Sequence, residues 1–291
     1  MVTVPIKVEN LSYTYNPGTP LARTALDDVN LEIGDGEFIG LIGATGSGKS
    51  TLIQHFNGLL KPTRGRVLVD GVDIWQKDVR LKDIRTKVGL VFQYPEHQLF
   101  EETVFADIAF GPRNMGLGDD EINARVRRAL ELVGLDFEAV KGRSPFELSG
   151  GEMRRVAIAG VLAMEPSVLV LDEPVSGLDP RGRDELLEEL ARLHRRSECT
   201  VILVSHSMED VARLAKRLVV MHKGKVVADG PVREVFRMTD LLKEVGLGVP
   251  QVTEVMHELA RRGKDVRTDV LTVEEAKAEL LRLLRGEGRV R

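Results

Sequence analysis

Gly43-Ala44-Thr45-Gly46-Ser47-Gly48-Lys49-Ser50-Thr51 is the stretch on which the reading of this chain turns. It fits the spacing G-x-x-x-x-G-K-[ST], with a short apolar run (residues 38–42) before it and a helical pattern (residues 51–60) after it. Glycines let successive backbone N–H groups curl around phosphate oxygens where a Cβ would clash. The start of the following helix adds its positive dipole end. Lys49 is the residue to neutralise the β- and γ-phosphates, and the Ser50 hydroxyl is the one to ligate Mg²⁺. A glycine-rich turn alone carries little weight. Strand, loop, Lys-Ser and helix together predict an ATP site.

Outward from the loop, short strands alternate with helical patterns. Residues 6–8 and 25–33 read as strands separated by the turn Asn16-Pro17-Gly18, residues 65–72 as a hairpin, and residues 88–92 as a buried strand. Residues 119–133 then place Ile122, Val126, Ala129, Leu130 and Val133 at helical spacing, and residues 145–164 look helical after their glycine pair. Residues 94–165 are therefore a candidate helical subdomain inserted between strands. Two runs rich in β-branched residues (168–171 and 201–204) flank a helical pattern at 183–194, which predicts a parallel, helix-covered sheet. Residues 218–228 read as a hairpin about Lys223-Gly224. In the tail, Val252, Val255, Met256 and Leu259 share one helical face. Thr272 with Glu275 reads as a capping box opening a helix through Ala276, Leu280, Leu283 and Leu284 to Gly286.

Bulk properties exclude several classes. With 43% hydrophobic and 30% charged residues, the 291-residue chain has the composition of a globular protein with a sizeable core. Its net charge of −4 gives no argument for nucleic acid. One cysteine, Cys199, allows no internal disulfide and fits a reducing compartment. No basic n-region followed by an apolar stretch opens the chain, and the longest apolar run, near residues 156–164, is too short to span a bilayer. A membrane role is expected to be peripheral.

Four further elements carry chemistry. Ser167-Val168-Leu169-Val170-Leu171-Asp172-Glu173 is an apolar strand ending in two acids. At the C-terminal edge of a parallel sheet, Asp172 is the candidate Mg²⁺ carboxylate, and Glu173 is the candidate to orient or deprotonate the attacking water. Leu148-Ser149-Gly150-Gly151-Glu152 opens a helix with a serine and two glycines, a second anion-binding element that in isolation reads as an ordinary N-cap. One nucleotide needs one phosphate loop, so the second suggests a nucleotide held by another subunit. His206 and Gln93 each follow a strand, where the first can reach a terminal phosphate and the second Mg²⁺ or water.

The order of these motifs, with Ser176-Gly177-Leu178-Asp179 between Glu173 and His206, resembles the nucleotide-binding cassette of the ABC family across residues 6–231. The resemblance implies an α/β P-loop NTPase: a RecA-like core with an antiparallel β subdomain and an inserted helical subdomain (residues 94–165) within a cassette at 1–235. A small C-terminal helical extension, 236–291, follows and serves dimerisation. It implies head-to-tail pairs with each ATP between one subunit's phosphate loop and the other's signature, Leu148 to Glu152. It further implies that Tyr15, from the loop after the first strand, stacks on adenine and that Gln93 senses the transporter. Ser176 to Asp179 form the D-loop crossing the pair, Glu173 is the general base and His206 the switch histidine. Glu152 departs from the commonest signature, which has glutamine, and slower or altered turnover is expected from it.

A narrower resemblance rests on Phe92-Gln93-Tyr94-Pro95-Glu96-His97-Gln98-Leu99-Phe100, Thr103-Val104, Asp107-Ile108-Ala109-Phe110-Gly111-Pro112 and the tail motifs Pro250-Gln251-Val252 and Leu271-Thr272-Val273-Glu274-Glu275-Ala276. These look like ATPases of energy-coupling factor (ECF) transporters and their cobalt-uptake relatives. The implied partners are a second cassette (a copy or a paralogue), a transmembrane coupling subunit and a small substrate-binding membrane subunit for a vitamin or metal ion. The implied place is the cytoplasmic membrane face, with no nucleic acid. Among rivals, a DNA-repair ATPase needs a long coiled coil, and residues 94–147 leave no room for one. A translation-factor type needs two cassettes in one chain. A binding module without catalysis would not need both Asp172 and Glu173. The ATPase of a conventional importer is disfavoured by residues 93–112 and the tail.

Overall fold

The structure, a computed structural model, describes residues 5–196 and 199–285. The end of the last helix expected at Gly286 and residues 286–291 of the extension lie outside them. Strands β1 (Ile6–Tyr15) and β2 (Arg23–Ile33) pair antiparallel, and β3 (Phe38–Ile42) leads through the glycine loop into α1 (Lys49–Phe56). Next come β4 (Arg64–Val69), β5 (Val72–Asp73), α2 (Leu81–Lys87) and β6 (Val88–Val91). The helices α3 (Val104–Met115), α4 (Asp119–Leu132), α5 (Phe137–Val140) and α6 (Gly150–Leu162) then fill the space before β7 (Val168–Asp172). The chain continues through α7 (Pro180–Arg196), β8 (Thr200–Val204), α8 (Met208–Leu214), β9 (Arg217–His222) and β10 (Lys225–Pro231). It closes with α9 (Val232–Arg237), α10 (Thr239–Glu244), α11 (Gln251–Arg261) and α12 (Val273–Leu284).

The strands form two sheets. An antiparallel sheet runs β2-β1-β4-β5, and a six-stranded sheet runs β10-β9-β3-β8-β7-β6. In the second, β9, β3, β8, β7 and β6 are parallel and only the edge strand β10 is antiparallel. Alternate side chains of its strands enter opposite cores. Phe38, Ile42, Leu169, Leu171, Val201 and Leu203 face the helical layer that includes α3, α4 and α6. Ile39, Leu41, Val168, Val170, Ile202 and Val204 face α1 and the antiparallel sheet. Burial on both faces is why these strands read as unbroken apolar runs. No helix among the described residues is long and apolar enough to cross a membrane.

Several expected boundaries move for physical reasons. The first strand continues past residue 8 because Asn10 and Asp28, both at positive φ, form a bulge held by Asn10 Nδ2 donating to Asp28 Oδ1 at 3.0 Å. Tyr15 is therefore the last residue of a strand and not part of the following loop. Helix α6 starts at Gly150, so the glycine pair forms its first turn. In α11, Met256 is buried and Val252 and Leu259 pack against the same small core, while Val255 is 53% exposed and Thr253 is buried. Leu284 is likewise 82% exposed. Thr272 caps α12 by accepting from the Glu275 backbone, but only half of the expected box forms. The Glu275 carboxylate instead accepts from Leu271 N at 2.9 Å and from Arg233 of α9, tying the tail to the cassette. A small core of Met256, Val266, Val270 and Ala276 joins α11 to α12.

Candidate functional site

The phosphate loop leaves a strand whose five residues are all buried and turns into α1. Two glycines are required by space. A Cβ on Gly43 would lie 2.4 Å from the Met221 carbonyl oxygen, and one on Gly48, at φ 106°, would lie 2.6 Å from the Ala25 carbonyl oxygen. Lys49 is buried, and its Nζ donates to the Gly43 and Ala44 carbonyls at 2.6 and 3.2 Å. Burial lowers its pKa although Glu173 and Asp172 pull the other way. The Ser47 Oγ is buried with no hydrogen-bond partner among the described residues. The Tyr15 hydroxyl lies 3.1 Å from Thr51 Oγ1, and its ring packs edge to face with the Tyr13 ring, which fixes it over the start of α1.

Sheet register brings the acids to this loop. Leu41 pairs with Val204, and Val204 pairs with Asp172, so one row crosses from the strand before the loop to the strand ending in acid. Asp172 is buried, which raises its carboxyl pKa, while the Ser50 hydroxyl and the Lys49 charge oppose that rise. Glu173 turns off the strand at φ 51°, its N–H donating to the Val204 carbonyl at 3.0 Å. Burial and the Asp172 charge push its carboxyl up to about 7. His206 Nε2 lies 3.3 Å from Glu173 Oε1, without hydrogen-bond geometry. Burial and Lys49 depress the imidazole pKa, so the contact joins a neutral ring to a carboxyl.

Leu148, Ser149, Gly150, Gly151 and Glu152 lie elsewhere. Leu148 is buried and anchors the turn, while Ser149 and Gly150 are exposed. Ser149 caps α6 in a reciprocal box: its N–H and hydroxyl donate to Glu152 Oε2 at 2.9 and 2.8 Å, and Glu152 N donates to Ser149 Oγ at 3.3 Å. These bonds hold the Glu152 pKa below the ordinary value, so the acid is charged. Ser149, Gly150, Gly151 and Glu152 line one open cleft of about 840 Å³ with Gly177, Leu178 and Asp179. No phosphate-loop residue lines it. Ser176 leads into this segment, and Asp179 Oδ1 caps α7 by accepting from Gly182 N at 2.7 Å.

Gln93 is exposed just past β6 and makes no hydrogen bond to Ser50 or Asp172 among the described residues. Sequence alone gives Arg154 no role, and Glu96 only a place in the stretch from Phe92 to Phe100. Arg154, 3% exposed, donates from Nε and Nη2 to the two Glu96 oxygens at 3.1 and 2.9 Å. Its Nη1 donates to the Pro174 carbonyl at 3.3 Å and to the Ser176 carbonyl. An arginine on the otherwise apolar inner side of a helix was the available signal, but its partners lie 58, 20 and 22 residues away. Cys199 is buried, donates to the Pro166 carbonyl and is pushed up to about 11, which leaves it unreactive.

The family model described as ABC transporter matches residues 26–176. The energy-coupling factor transporter ATP-binding protein EcfA2 of Clostridium tetani is 59% identical over 282 residues, covering 97% of this chain and 98% of the relative. Among solved structures, cbiO1 from Clostridium perfringens, part of the ABC transporter complex cbiONQ, superposes with a TM-score of 0.74 at 40% identity, covering 88% of this chain and 99% of that one. The dimeric post-hydrolysis state of the ATP-binding cassette MJ0796, bound to ADP and Pi, gives a TM-score of 0.69 at 30% identity over 78% of this chain and 98% of that one.

Proposed function

The chain belongs to the ABC transporter family, among its energy-coupling factor ATP-binding subunits, and from that premise we propose how its residues bind and spend ATP. It is an ATPase subunit that powers an ECF-type membrane importer. The match to the EcfA2 relative covers 97% of this chain and so takes in the tail, which favours this reading over a conventional importer. In our reading two cassettes pair head-to-tail, this chain with a copy or a paralogue. One observation carries the pairing: the cleft holding Ser149, Gly151 and Asp179 contains no phosphate-loop residue of the same chain.

In that arrangement Gly43, Ala44, Thr45, Gly46, Ser47, Gly48 and Thr51 wrap the phosphates with backbone N–H groups and hydroxyls. Lys49 exchanges its two carbonyl partners for β- and γ-phosphate oxygens. Tyr15, already held by Thr51, presents its ring to adenine. Ser50 and Asp172 are hard oxygen donors side by side, a set that fits Mg²⁺. Gln93, exposed just past β6, would add a third oxygen donor to that set. When bound, Mg²⁺ neutralises charge on the phosphates. Glu173, poised near neutrality, takes a proton from the attacking water, and neutral His206 donates towards the γ-phosphate. Leu148 anchors the signature turn, and Ser149, Gly150, Gly151 and the charged Glu152 meet the ATP of the facing cassette, with Ser176, Gly177, Leu178 and Asp179 crossing the interface.

The output is mechanical work at the cytoplasmic face of a membrane. A groove of about 570 Å³ lined by Gln98, Leu99, Phe100, Phe110, Met115 and Met164 lies past Gln93, with the exposed Phe100 and Phe110 rings packed edge to face at 5.0 Å. It accepts a cytoplasmic helix of a transmembrane coupling subunit, which moves a small substrate-binding membrane protein. Isolation of the chain from native membranes, with identification of what co-purifies, tests this. Recovery of a second cassette and two kinds of membrane subunit is expected; recovery of the chain alone contradicts it.

A further inference from the structure

The groove and the D-loop are joined by one side chain. Arg154 stands in the second turn of α6, four residues beyond Gly150. Its planar fork grips both oxygens of Glu96, which sits on the short turn Pro95–Gln98. Gln98 and Leu99, next along that turn, line the groove. The remaining guanidinium nitrogen holds the carbonyls of Pro174 and Ser176, the backbone immediately after Glu173. Arginine's five donors lie in one rigid plane, so three segments far apart in sequence are fixed to a single group. Burial works against the Glu96 charge, yet Arg154 holds its carboxyl pKa below the usual range, so the link is ionic.

We infer that Arg154 is a positioning residue that transmits the state of the membrane-facing groove to the D-loop and to the start of the signature helix. A helix seated in the groove displaces the Pro95–Gln98 turn. Glu96 then carries Arg154 with it, and Arg154 shifts the Pro174 and Ser176 carbonyls together with the first turn of α6. The link touches neither the phosphate loop nor Asp172. Its loss therefore leaves the KM for ATP in place and uncouples hydrolysis from the groove. This inference rests on the docking reading of the groove given above.

The test compares ATP hydrolysis per cassette pair in the complex with its membrane subunits against hydrolysis by the isolated pair. A merely structural lesion lowers both rates together and leaves their ratio unchanged. Arg154→Gln strands a half-buried carboxylate, so Glu96→Gln, which keeps the bonds to Pro174 and Ser176, is measured beside it, with Arg154→Lys as the conservative variant. The expected result is that both glutamine variants assemble, keep KM, and bring the ratio about 5–30-fold closer to one, with lysine recovering part of the effect. The double variant matches the worse single one. Assembled variants with the parental ratio would overturn the relay alone. A parental ratio of one, or failure of the parental chain to assemble, would overturn the docking reading and the relay with it.

Discussion

Glu173→Gln should stabilise the folded chain in mild base while stopping hydrolysis. Burial and the neighbouring Asp172 charge raise this carboxyl from 4.5 to about 7. Between those values the native state binds more protons than the unfolded chain, so stability falls as pH rises from about 4.5 to about 7 and stays reduced above. The displacement is worth about 3 kcal/mol at pH 8, and the side chain is only 13% exposed, so solvent screens little of it. Glutamine has the same shape and no charge. It removes the penalty above pH 7 and changes little near pH 5, where most of the penalty has not yet developed. Thermal unfolding without nucleotide should show a midpoint higher by roughly 5–10 °C at pH 8 and by about 2 °C or less at pH 5. An equal shift at both pH values, or a lower midpoint at pH 8, refutes the burial argument. In the same variant kcat should fall about 10²–10⁴-fold with ATP still bound. Turnover within about tenfold of the parent would remove Glu173 from the role of base.

Lys49→Ala should weaken ATP binding by about 10–100-fold in calorimetry, the loss of charge-assisted bonds to phosphate; unchanged affinity would take Lys49 out of phosphate recognition. Met256→Ala empties the centre of the small core between α11 and α12 and should cost that unit about 2–4 kcal/mol. Faster amide exchange confined to residues 250–285 is the expected readout, and exchange spread across the cassette would contradict a separate core there.

What could be read from the sequence depended on distance along the chain. The phosphate loop, the Asp172-Glu173 strand end and the glycine pair at α6 are contiguous, and their chemistry is carried by neighbours. The parallel sheet was legible because its strands are buried on both faces and read as unbroken apolar runs. The resemblance puts Tyr15 in the loop after the first strand, but a bulge at Asn10 lets that strand run on to Tyr15, and such a bulge leaves no simple periodic mark. Val255 shares the helical spacing of Val252, Met256 and Leu259 but lies 53% exposed, while Thr253, a polar residue that spacing does not mark, fills a buried position by donating to the Val270 carbonyl. The Arg154 link was invisible because its partners are brought together only by the packing of α6 against the turn after β6 and the turn after β7.

The central claim is that each ATP is completed by the facing cassette. The most direct measurement counts nucleotide trapped with vanadate in cassette pairs, selected by tag, that hold one altered copy of this chain opposite an unaltered cassette. Lys49→Ala disables the site built on this chain's phosphate loop. Ser149→Arg disables the site completed by its signature, so each change alone should leave a single trapped nucleotide per pair. Both changes in the same copy should leave none, although the facing cassette is intact. Retention of one nucleotide by that doubly altered pair would mean that each chain holds its own complete site, and would contradict the account.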